Sequence, residues 1–484
     1  MSYLRTLGLT LVLCFAPPVA FADGVTLITH GWDPNLSGTP AWIGSMRNAI
    51  AVNHLGNERN YATITVTKPG ASLVVTCSPW DYNMSTGVTG EIIIVLDWSS
   101  VANHLTGGPS AQEVADAVVN RLLTTQNGMP PVVELPIHLI GHSRGGGMVC
   151  ELARLLGLRG VVVEQLTPLD PHPLTVSDPQ PLPPLPAVID TPAAIYENVI
   201  FADVYSQTPD YPEGRYLTGG YNRLWGVLTG GYFDSSAPYA NHRNVYLMYQ
   251  GTVDTNNPVI NGEASMDQAE RDAWFNPYET NGYATGFYYS RILGHGDRAS
   301  SDAPNGGDQV RAGLHSDPLF GGGGPRADLV WGQAVWPNIA ALALYTNDIP
   351  LGRGTHVVYP GDSVDIHYIW HDCDSGGYIT FRLDEDRNPY NTNLASEVTN
   401  VHYTSTGGSF RGSNVVWHCD VPDRGVFNLC SIIADSARTR YFYAEPQLFV
   451  VPEPGFYAVV LAVFPVVLRT IRAGAVINPV TGNQ

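Results

Sequence analysis

Short, mainly apolar runs alternate with stretches of helical periodicity through the first half of the chain. The apolar runs are typical of buried strands, and they lie at 24–29, 92–96, 137–140, 161–166 and 198–204. Apolar residues recur at helical spacing between them, most clearly in 148–156 and in 110–123, where Ser110 is a candidate N-cap. Strands that alternate with helices in this way predict a mostly parallel sheet with helices on both faces, which is an α/β fold.

The pattern changes near residue 346. Short strands of alternating polarity follow one another between turn clusters, without helical periodicity, at 363–370, 378–383, 414–419, 427–434 and 439–444. This pattern predicts that the α/β part is followed by an all-β sandwich of immunoglobulin-like type.

The N-terminus has the pattern of a secretory signal peptide. Arg5 precedes the apolar run 7–15, and Ala20-Phe21-Ala22 supplies small residues at the cleavage site. We therefore expect an exported chain that begins near Asp23. Export permits disulfides, and their pairing is left open among the five cysteines after the signal peptide, Cys77, Cys150, Cys373, Cys419 and Cys430.

The charge of the chain narrows the classes of partner. The formal net charge is −19 over 484 residues, and lysine and arginine form no cluster. An acidic protein without a basic patch is not expected to bind nucleic acid or an anionic membrane surface.

A candidate nucleophile lies where an apolar strand meets a helical segment, in Gly141-His142-Ser143-Arg144-Gly145. A serine at such a strand-to-helix turn sits on a tight bend, so Gly141 and Gly145 provide the space that the bend needs. The helix that follows favours negative charge at its N-terminus. The motif therefore predicts that Ser143 is a catalytic nucleophile.

A serine nucleophile needs a base and an acid from elsewhere in the chain. Asp170 ends the next strand and is the leading acid, with Asp203, at the end of the strand after that, as the alternative. His242 lies in a loop that leads into a helical segment and is the leading base. His295 and His315 occur in a Gly-rich region that is typical of surface loops.

The oxyanion of an acyl-transfer reaction needs backbone N–H donors. The N–H groups of Arg144, which follows the nucleophile, and of Trp32, which follows His30-Gly31 at the end of the first strand, are the candidates.

These four motifs together resemble the α/β-hydrolase fold and, within it, the pancreatic-type lipases. They are Thr29-His30-Gly31-Trp32, Gly141-His142-Ser143-Arg144-Gly145, Leu169-Asp170-Pro171 and Asn241-His242-Arg243. The resemblance implies the roles assigned above to Ser143, Asp170 and His242, and the oxyanion donors Trp32 and Arg144. Arg144 stands where that group has leucine.

The C-terminus resembles a PEP-CTERM sorting signal. Pro452-Glu453-Pro454 is followed by the apolar run 456–468 and then by Arg469 and Arg472. The resemblance implies processing by an exosortase-type enzyme and a place in the cell envelope or extracellular matrix of a Gram-negative bacterium. The alternative is a final strand with a disordered tail.

The sequence predicts no metal and no cofactor. In Asp384-Glu385-Asp386-Arg387-Asn388, an EF-hand would need glycine at its sixth position and glutamate at its twelfth, where this chain has Pro389 and Ala395. A solvated turn or a looser calcium site remains open there.

The predicted organisation is a signal peptide (1–22), an α/β-hydrolase domain (23–255), a loop-rich connecting region (256–345), a β-sandwich domain (346–450) and a sorting tail (451–484). We expect an exported serine hydrolase that cleaves esters of small molecules or lipids. The β-sandwich domain would hold the hydrolase domain at a distance from the cell envelope, or it would contact extracellular polymer. The alternatives are another acyl hydrolase or transferase with the same triad, and a non-catalytic matrix or adhesion protein.

Overall fold

The structure is a computed structural model. It describes residues 24–33, 37–54, 61–78, 92–103, 108–125, 131–175, 190–256, 258–275, 286–289, 326–329, 336–352, 354–391, 393–407, 411–419 and 424–451. The predicted signal peptide, most of the predicted connecting region with His295 and His315, and the predicted sorting tail after Val451 lie outside the described residues.

An eight-stranded sheet is formed by the first half of the chain. Its strands are β1 (Val25–Thr29), β2 (Tyr61–Thr67), β3 (Val74–Cys77), β4 (Ile92–Asp97), β5 (Ile137–His142), β6 (Val163–Leu169), β7 (Val199–Gln207) and β8 (Tyr221–Trp225). The order across the sheet is β3-β2-β4-β1-β5-β6-β7-β8. All neighbours are parallel except β2 and β3, which form an antiparallel pair at one edge. The carboxyl ends of β1, β5, β6 and β7 therefore lie side by side.

The described α-helices pack against this sheet. They are α1 (Ala41–His54), α2 (Ser99–Ala102), α3 (Ala111–Leu122), α4 (Arg144–Leu158), α5 (Ala240–Val253) and α6 (Gln268–Phe275). Successive side chains of a strand point to opposite sides, so Leu27 joins the buried cluster of α3 and α4, whereas Ile28 joins the cluster of α1 and α5. Ser110 and Glu113 form a capping box at the start of α3, which confirms the predicted N-cap.

Most strands of the second half of the chain belong to two further sheets. A four-stranded sheet contains β11 (Asn338–Thr346), β12 (Ile349–Pro350), β14 (Ser363–His371) and β17 (Arg411–His418). A five-stranded sheet contains β13 (Gly354–Val358), β15 (Gly377–Asp384), β16 (Leu394–Tyr403), β18 (Gly425–Ala434) and β19 (Thr439–Val450). The two sheets share one buried cluster, to which Ile366 and Trp417 contribute from the first and Phe381 and Leu429 from the second. A small pair, β9 (Val259–Ile260) and β10 (Ser265–Met266), lies between the two halves of the sequence.

The predicted fold class, an α/β-hydrolase fold followed by an immunoglobulin-like sandwich, is wrong. The described part of the chain is mostly β, with nineteen strands in four sheets and six α-helices, and its largest sheet is mixed. Apolar periodicity identifies strands but does not set the direction in which an edge strand pairs. β3 turns back on β2 through a short connection, which only antiparallel strands permit.

A buried ion pair joins the two halves. Arg440 of β19 donates to both carboxylate oxygens of Glu164 on β6, at 2.9 and 3.0 Å, and to the carbonyl of Val162 at 2.9 Å. Both side chains are only 2% exposed. Asn338, at the start of β11, adds a hydrogen bond to the carbonyl of Gly160. Polar contacts of this kind fix the register between the sheets, because an unpaired charge would be costly to bury.

The five cysteines whose pairing was left open, Cys77, Cys150, Cys373, Cys419 and Cys430, form no disulfide bond among the described residues. Within the described ranges, no helix is both long and apolar enough to span a bilayer.

Candidate active site

Ser143 occupies a strained turn between β5 and α4. Its backbone has φ 58° and ψ −125°, a conformation that residues with a Cβ rarely adopt. A Cβ on Gly141 would lie 2.3 Å from the carbonyl oxygen of Gly145, and a Cβ on Gly145 would lie 2.3 Å from that of His30. Both predicted glycines are therefore required by close backbone packing around the serine.

The loop after β1 lies directly against this turn. A Cβ on Gly31 would lie 2.6 Å from Ser143 Cβ and 2.9 Å from the backbone nitrogen of Arg144. The N–H of Arg144 has no intrahelical acceptor, because α4 begins at this residue. The structure thus places the backbone of Arg144 and the turn before Trp32 next to the serine, at the positive end of the helix dipole.

Asp170 and His242 are in direct contact. His242 Nδ1 lies 2.5 Å from Asp170 Oδ2, and the Asp170 side chain is fully buried. Asp170 directly follows β6 and His242 lies in the first turn of α5, so residues 72 positions apart meet at the carboxyl edge of the sheet. An ionised Asp170 only accepts hydrogen bonds, which places the proton on Nδ1 of His242 and leaves Nε2 as an acceptor.

Gln207, at the end of β7, orients Asp170. Its backbone N–H donates to Asp170 Oδ1 at 2.9 Å, and its side-chain amide donates to Oδ2 at 3.0 Å. Burial raises the pKa of Asp170 to about 8, and the two donors of Gln207 oppose that rise because they favour the charged carboxylate. No motif in the sequence marks Gln207, so sequence reasoning missed it.

His142, the residue before Ser143, contacts His242. Its Nε2 lies 2.9 Å from the carbonyl oxygen of His242, and the two imidazole centroids are 4.4 Å apart. Burial lowers the pKa of His242 well below its usual value, and the pKa of His142 is lowered in the same way. Both rings are therefore neutral near pH 7, as a general base must be. The Gly-x-Ser-x-Gly motif accepts any residue at this position, so the sequence alone did not single out His142.

Asp203, the alternative acid, belongs to a different network. Its carboxylate accepts hydrogen bonds from Thr167 at 2.6 Å, Gln165 at 3.2 Å and the Tyr205 hydroxyl at 2.9 Å. It makes no contact with His242 among the described residues. The structure thus brings Asp170, and not Asp203, to the base.

Ser143 and His242 line one cavity of about 240 Å³, together with Trp32 and Arg144. No hydrogen bond links Ser143 Oγ to His242 Nε2 in the part of the chain that the structure describes. Catalytic hydrogen bonds are often formed only when a substrate is bound, so the shared cavity is the relevant observation. The predicted nucleophile, the predicted base and the two predicted backbone donors therefore line the same cavity.

The side chain of Arg144 makes a buried clamp behind the turn. Its guanidinium pairs with Asp190 at 2.8 and 2.9 Å and donates to the carbonyls of Ala102 and Pro109. Asp190 in turn accepts the backbone N–H groups of Ala111 and Leu174. Arg144 and Asp190 therefore tie four segments of the chain to the turn at Ser143.

Acidic side chains also cluster in the second half of the chain. Ligand oxygens of Asp372, Asp374 and Asp435 lie within 4.8 Å of one another. Arg438 already pairs with Asp374 at 2.8 Å and with Asp435 at 2.7 Å. In the turn at 384–388, Asp384 and Asp386 accept backbone N–H groups of the turn itself. Both groups therefore have protein partners for their charges.

The pairing of Asp170 with Gln207 predicts a shift in pH dependence. In the catalytic triad that the sequence predicts, the active form would have Asp170 ionised and His242 neutral, so kcat/KM should rise with pH as this coupled pair loses its proton. Gln207→Leu removes a donor that favours the ionised carboxylate and raises the pKa of Asp170 further. We expect the rising limb of kcat/KM to move to higher pH by roughly one unit. The measurement is the pH profile for p-nitrophenyl acetate.

Gln165→Leu is the matched control, because it removes an amide donor from Asp203 instead. Its pH limb should coincide with that of the wild type. An equal shift in both variants, or none in Gln207→Leu, would contradict the positioning role of Gln207.

Comparison with known proteins assigns no family to the chain. No family model matches it, and no curated protein matches it either. Among solved structures, the sporulation control protein Spo0M of Bacillus subtilis aligns at 11% identity over 26% of this chain and 54% of its own, with a TM-score of 0.18. A β-glucosidase of Listeria innocua aligns at 11% identity over 23% of this chain and 16% of its own, with a TM-score of 0.15. An AA10 LPMO of Photorhabdus luminescens aligns at 17% identity over 22% of this chain and 62% of its own, with a TM-score of 0.13. The chain thus aligns with only part of each of these proteins.

Proposed function

We propose that this protein is a serine hydrolase that cleaves carboxylic esters through an acyl-enzyme. The observation that carries the proposal is the buried contact of 2.5 Å between Asp170 and His242 in the same cavity as Ser143. A strained serine turn, a neutral buried histidine and an aspartate held by two amide donors form the set that activates a hydroxyl nucleophile.

In the first step, His242 Nε2 accepts the proton of Ser143 Oγ while Oγ bonds to the ester carbonyl carbon. The N–H groups of Arg144 and Trp32 stabilise the negative charge on the carbonyl oxygen. Collapse of this intermediate breaks the bond to the alcohol oxygen, which takes the proton from His242 and leaves as the free alcohol.

In the second step, water replaces the alcohol. His242 accepts a proton from water, whose oxygen bonds to the acyl carbon, and then returns a proton to Ser143 Oγ as the carboxylic acid leaves. Ionised Asp170 stabilises the imidazolium that forms in each step. No redox change occurs, and His242 accepts and returns each proton that is transferred.

The cavity sets an expectation for the acyl group. The cavity volume of about 240 Å³ is below the usual range for pockets that bind drug-sized ligands. A cavity of this size favours a short acyl chain over a long acyl chain that would have to be enclosed along its whole length.

A serine-directed probe and an ester panel test the proposal on the full chain. We expect a fluorophosphonate to label one site, in the peptide that contains Ser143, and p-nitrophenyl acetate and butyrate to turn over faster than the palmitate ester. Labelling without turnover of any ester would favour another acyl chemistry on the same residues. Absence of both would favour a non-catalytic binding role.

A further inference from the structure

One wall of the cavity carries charges that the proposed mechanism does not use. Arg243 Nη2 lies 3.4 Å from Asp33 Oδ2, and Arg243 Nη1 lies 3.8 Å from Glu263 Oε2. All three residues line the cavity that contains Ser143, and their side chains are 24% to 35% exposed. We call Asp33, Arg243 and Glu263 the polar wall.

The polar wall includes the residue next to His242, which would protonate the leaving alcohol in the proposed reaction. Arg243 directly follows His242 in the first turn of α5, and both line the same cavity. In the proposed reaction His242 gives its proton to the departing alcohol oxygen. The residues next to it are therefore placed to contact the alcohol part of the ester.

The chemistry of the polar wall favours hydroxyl groups. Arg243 lies between two carboxylates, so an anionic substrate group would meet repulsion, and a hydrocarbon would displace water from these charged groups without offering them hydrogen bonds. A hydroxyl can donate to a carboxylate and accept from the guanidinium at the same time. Glu263 is held in place for this, because its Oε2 accepts hydrogen bonds from the hydroxyls of Tyr232 at 2.8 Å and Tyr246 at 3.3 Å.

Aromatic rings next to the polar wall add a second feature. Trp32 and Tyr239 line the cavity, and Tyr239 is 45% exposed. The indole Nε1 of Trp32 is buried and, within the described residues, has no hydrogen-bond acceptor. A buried donor without an acceptor is costly, so a substrate oxygen at this position would be favourable. Rings beside donors and acceptors suit a ligand that has both C–H faces and hydroxyls.

We propose that the alcohol part of the substrate is polyhydroxylated and sugar-like, with its hydroxyls bound by the polar wall and by the indole N–H of Trp32. This inference rests on the proposed ester hydrolysis and names its substrate class. A short-chain acyl ester of a neutral sugar satisfies both the small cavity and the polar wall.

Two acetates with the same acyl group test the proposal. Glucose monoacetate carries free hydroxyls and hexyl acetate carries none, while p-nitrophenyl acetate reports basal ester hydrolysis. We expect the full chain to hydrolyse glucose monoacetate with a kcat/KM at least about a hundredfold higher than hexyl acetate, because a site built for hydroxyls discriminates strongly against analogues that lack them.

Variants of the polar wall and of Trp32 test which residues cause the preference for the sugar ester. Arg243→Met should lower the ratio of kcat/KM for glucose monoacetate over hexyl acetate about tenfold or more, since it removes charge-assisted hydrogen bonds. Trp32→Phe keeps a ring and the backbone N–H but removes the indole donor, and it should lower the same ratio. Arg382→Met, on the exposed pair with Glu397 at 3.9 Å, is the control and should leave the ratio unchanged.

The outcomes separate this inference from the function on which it rests. Hydrolysis of p-nitrophenyl acetate with equal rates for the other two acetates would overturn the sugar preference and leave ester hydrolysis intact. If none of the esters is hydrolysed in a Ser143-dependent way, both the sugar preference and the proposed ester hydrolysis would be overturned. Binding gives an independent readout, because Ser143→Ala protein should show saturable quenching of tryptophan fluorescence by glucose monoacetate and none by hexyl acetate. Quenching by neither ester would also overturn the sugar preference.

Discussion

Ser143→Ala is expected to lower kcat for p-nitrophenyl acetate by about 10⁵-fold, to a level set by binding and the backbone donors alone. The reason is that the variant keeps the turn, the cavity and the Asp170–His242 contact but has no oxygen to attack the carbonyl. The free energy of unfolding should change by less than about 1 kcal/mol, because a single hydroxyl is lost. Steady-state kinetics together with urea unfolding measure both quantities.

Ser206→Ala is the matched control for this prediction. Ser206 is also a buried serine near the edge of the sheet, and its hydroxyl donates to the carbonyl of Arg215 instead of lining the cavity. We expect kcat for Ser206→Ala within about threefold of the wild type. Similar activity in Ser143→Ala and wild type would show that Ser143 is not the nucleophile.

Asp190→Ala is expected to lower the free energy of unfolding by about 3–5 kcal/mol, because it leaves the buried charge of Arg144 without its partner. Both side chains are 1% exposed or less, so water cannot replace the lost carboxylate. The guanidinium also fixes the residue whose N–H is proposed to hold the oxyanion. We therefore expect kcat to fall about tenfold to a hundredfold as well, since small displacements of catalytic groups are costly. Urea unfolding and steady-state kinetics check the two effects.

The double variant Arg144→Met/Asp190→Leu should recover much of the stability, because it removes both buried charges together. Glu164→Ala is the matched control, since it unpairs the equally buried Arg440 far from the cavity. That variant should lose a similar amount of stability and keep its kcat. A loss of kcat in Glu164→Ala as large as in Asp190→Ala would indicate a general effect of destabilisation rather than a role for the clamp.

Local motifs predicted the backbone turn at Ser143 well. The Gly-x-Ser-x-Gly motif at 141–145 describes a turn of five adjacent residues, whose geometry depends mainly on space for Cβ atoms. The structure places Ser143 there with a positive φ and glycines where a Cβ would collide with backbone. The carboxyl ends of β5 and β6 also lie side by side, which brings Asp170 to the same edge as Ser143.

The prediction of the fold class from the sequence was wrong. The periodicity of the first half led to an α/β prediction, whereas the described chain is mostly β with a mixed main sheet. β3 pairs antiparallel with β2, its neighbour in the sequence, and hydrophobic periodicity does not encode the direction in which a strand pairs.

The positions of Ser143, of the glycines around it and of the cap at Ser110 follow from neighbouring residues, and the order of residues alone was enough to predict them. The hydrogen-bond and ion-pair partners of the residues around Ser143 could be identified only from the tertiary structure. His142 reaches His242 across 100 positions, Gln207 reaches Asp170 across 37, and Arg144 reaches Asp190 across 46. Each is a polar group whose charge or hydrogen bonds must be satisfied once it is buried, and the residue that satisfies it depends on how the strands and helices pack.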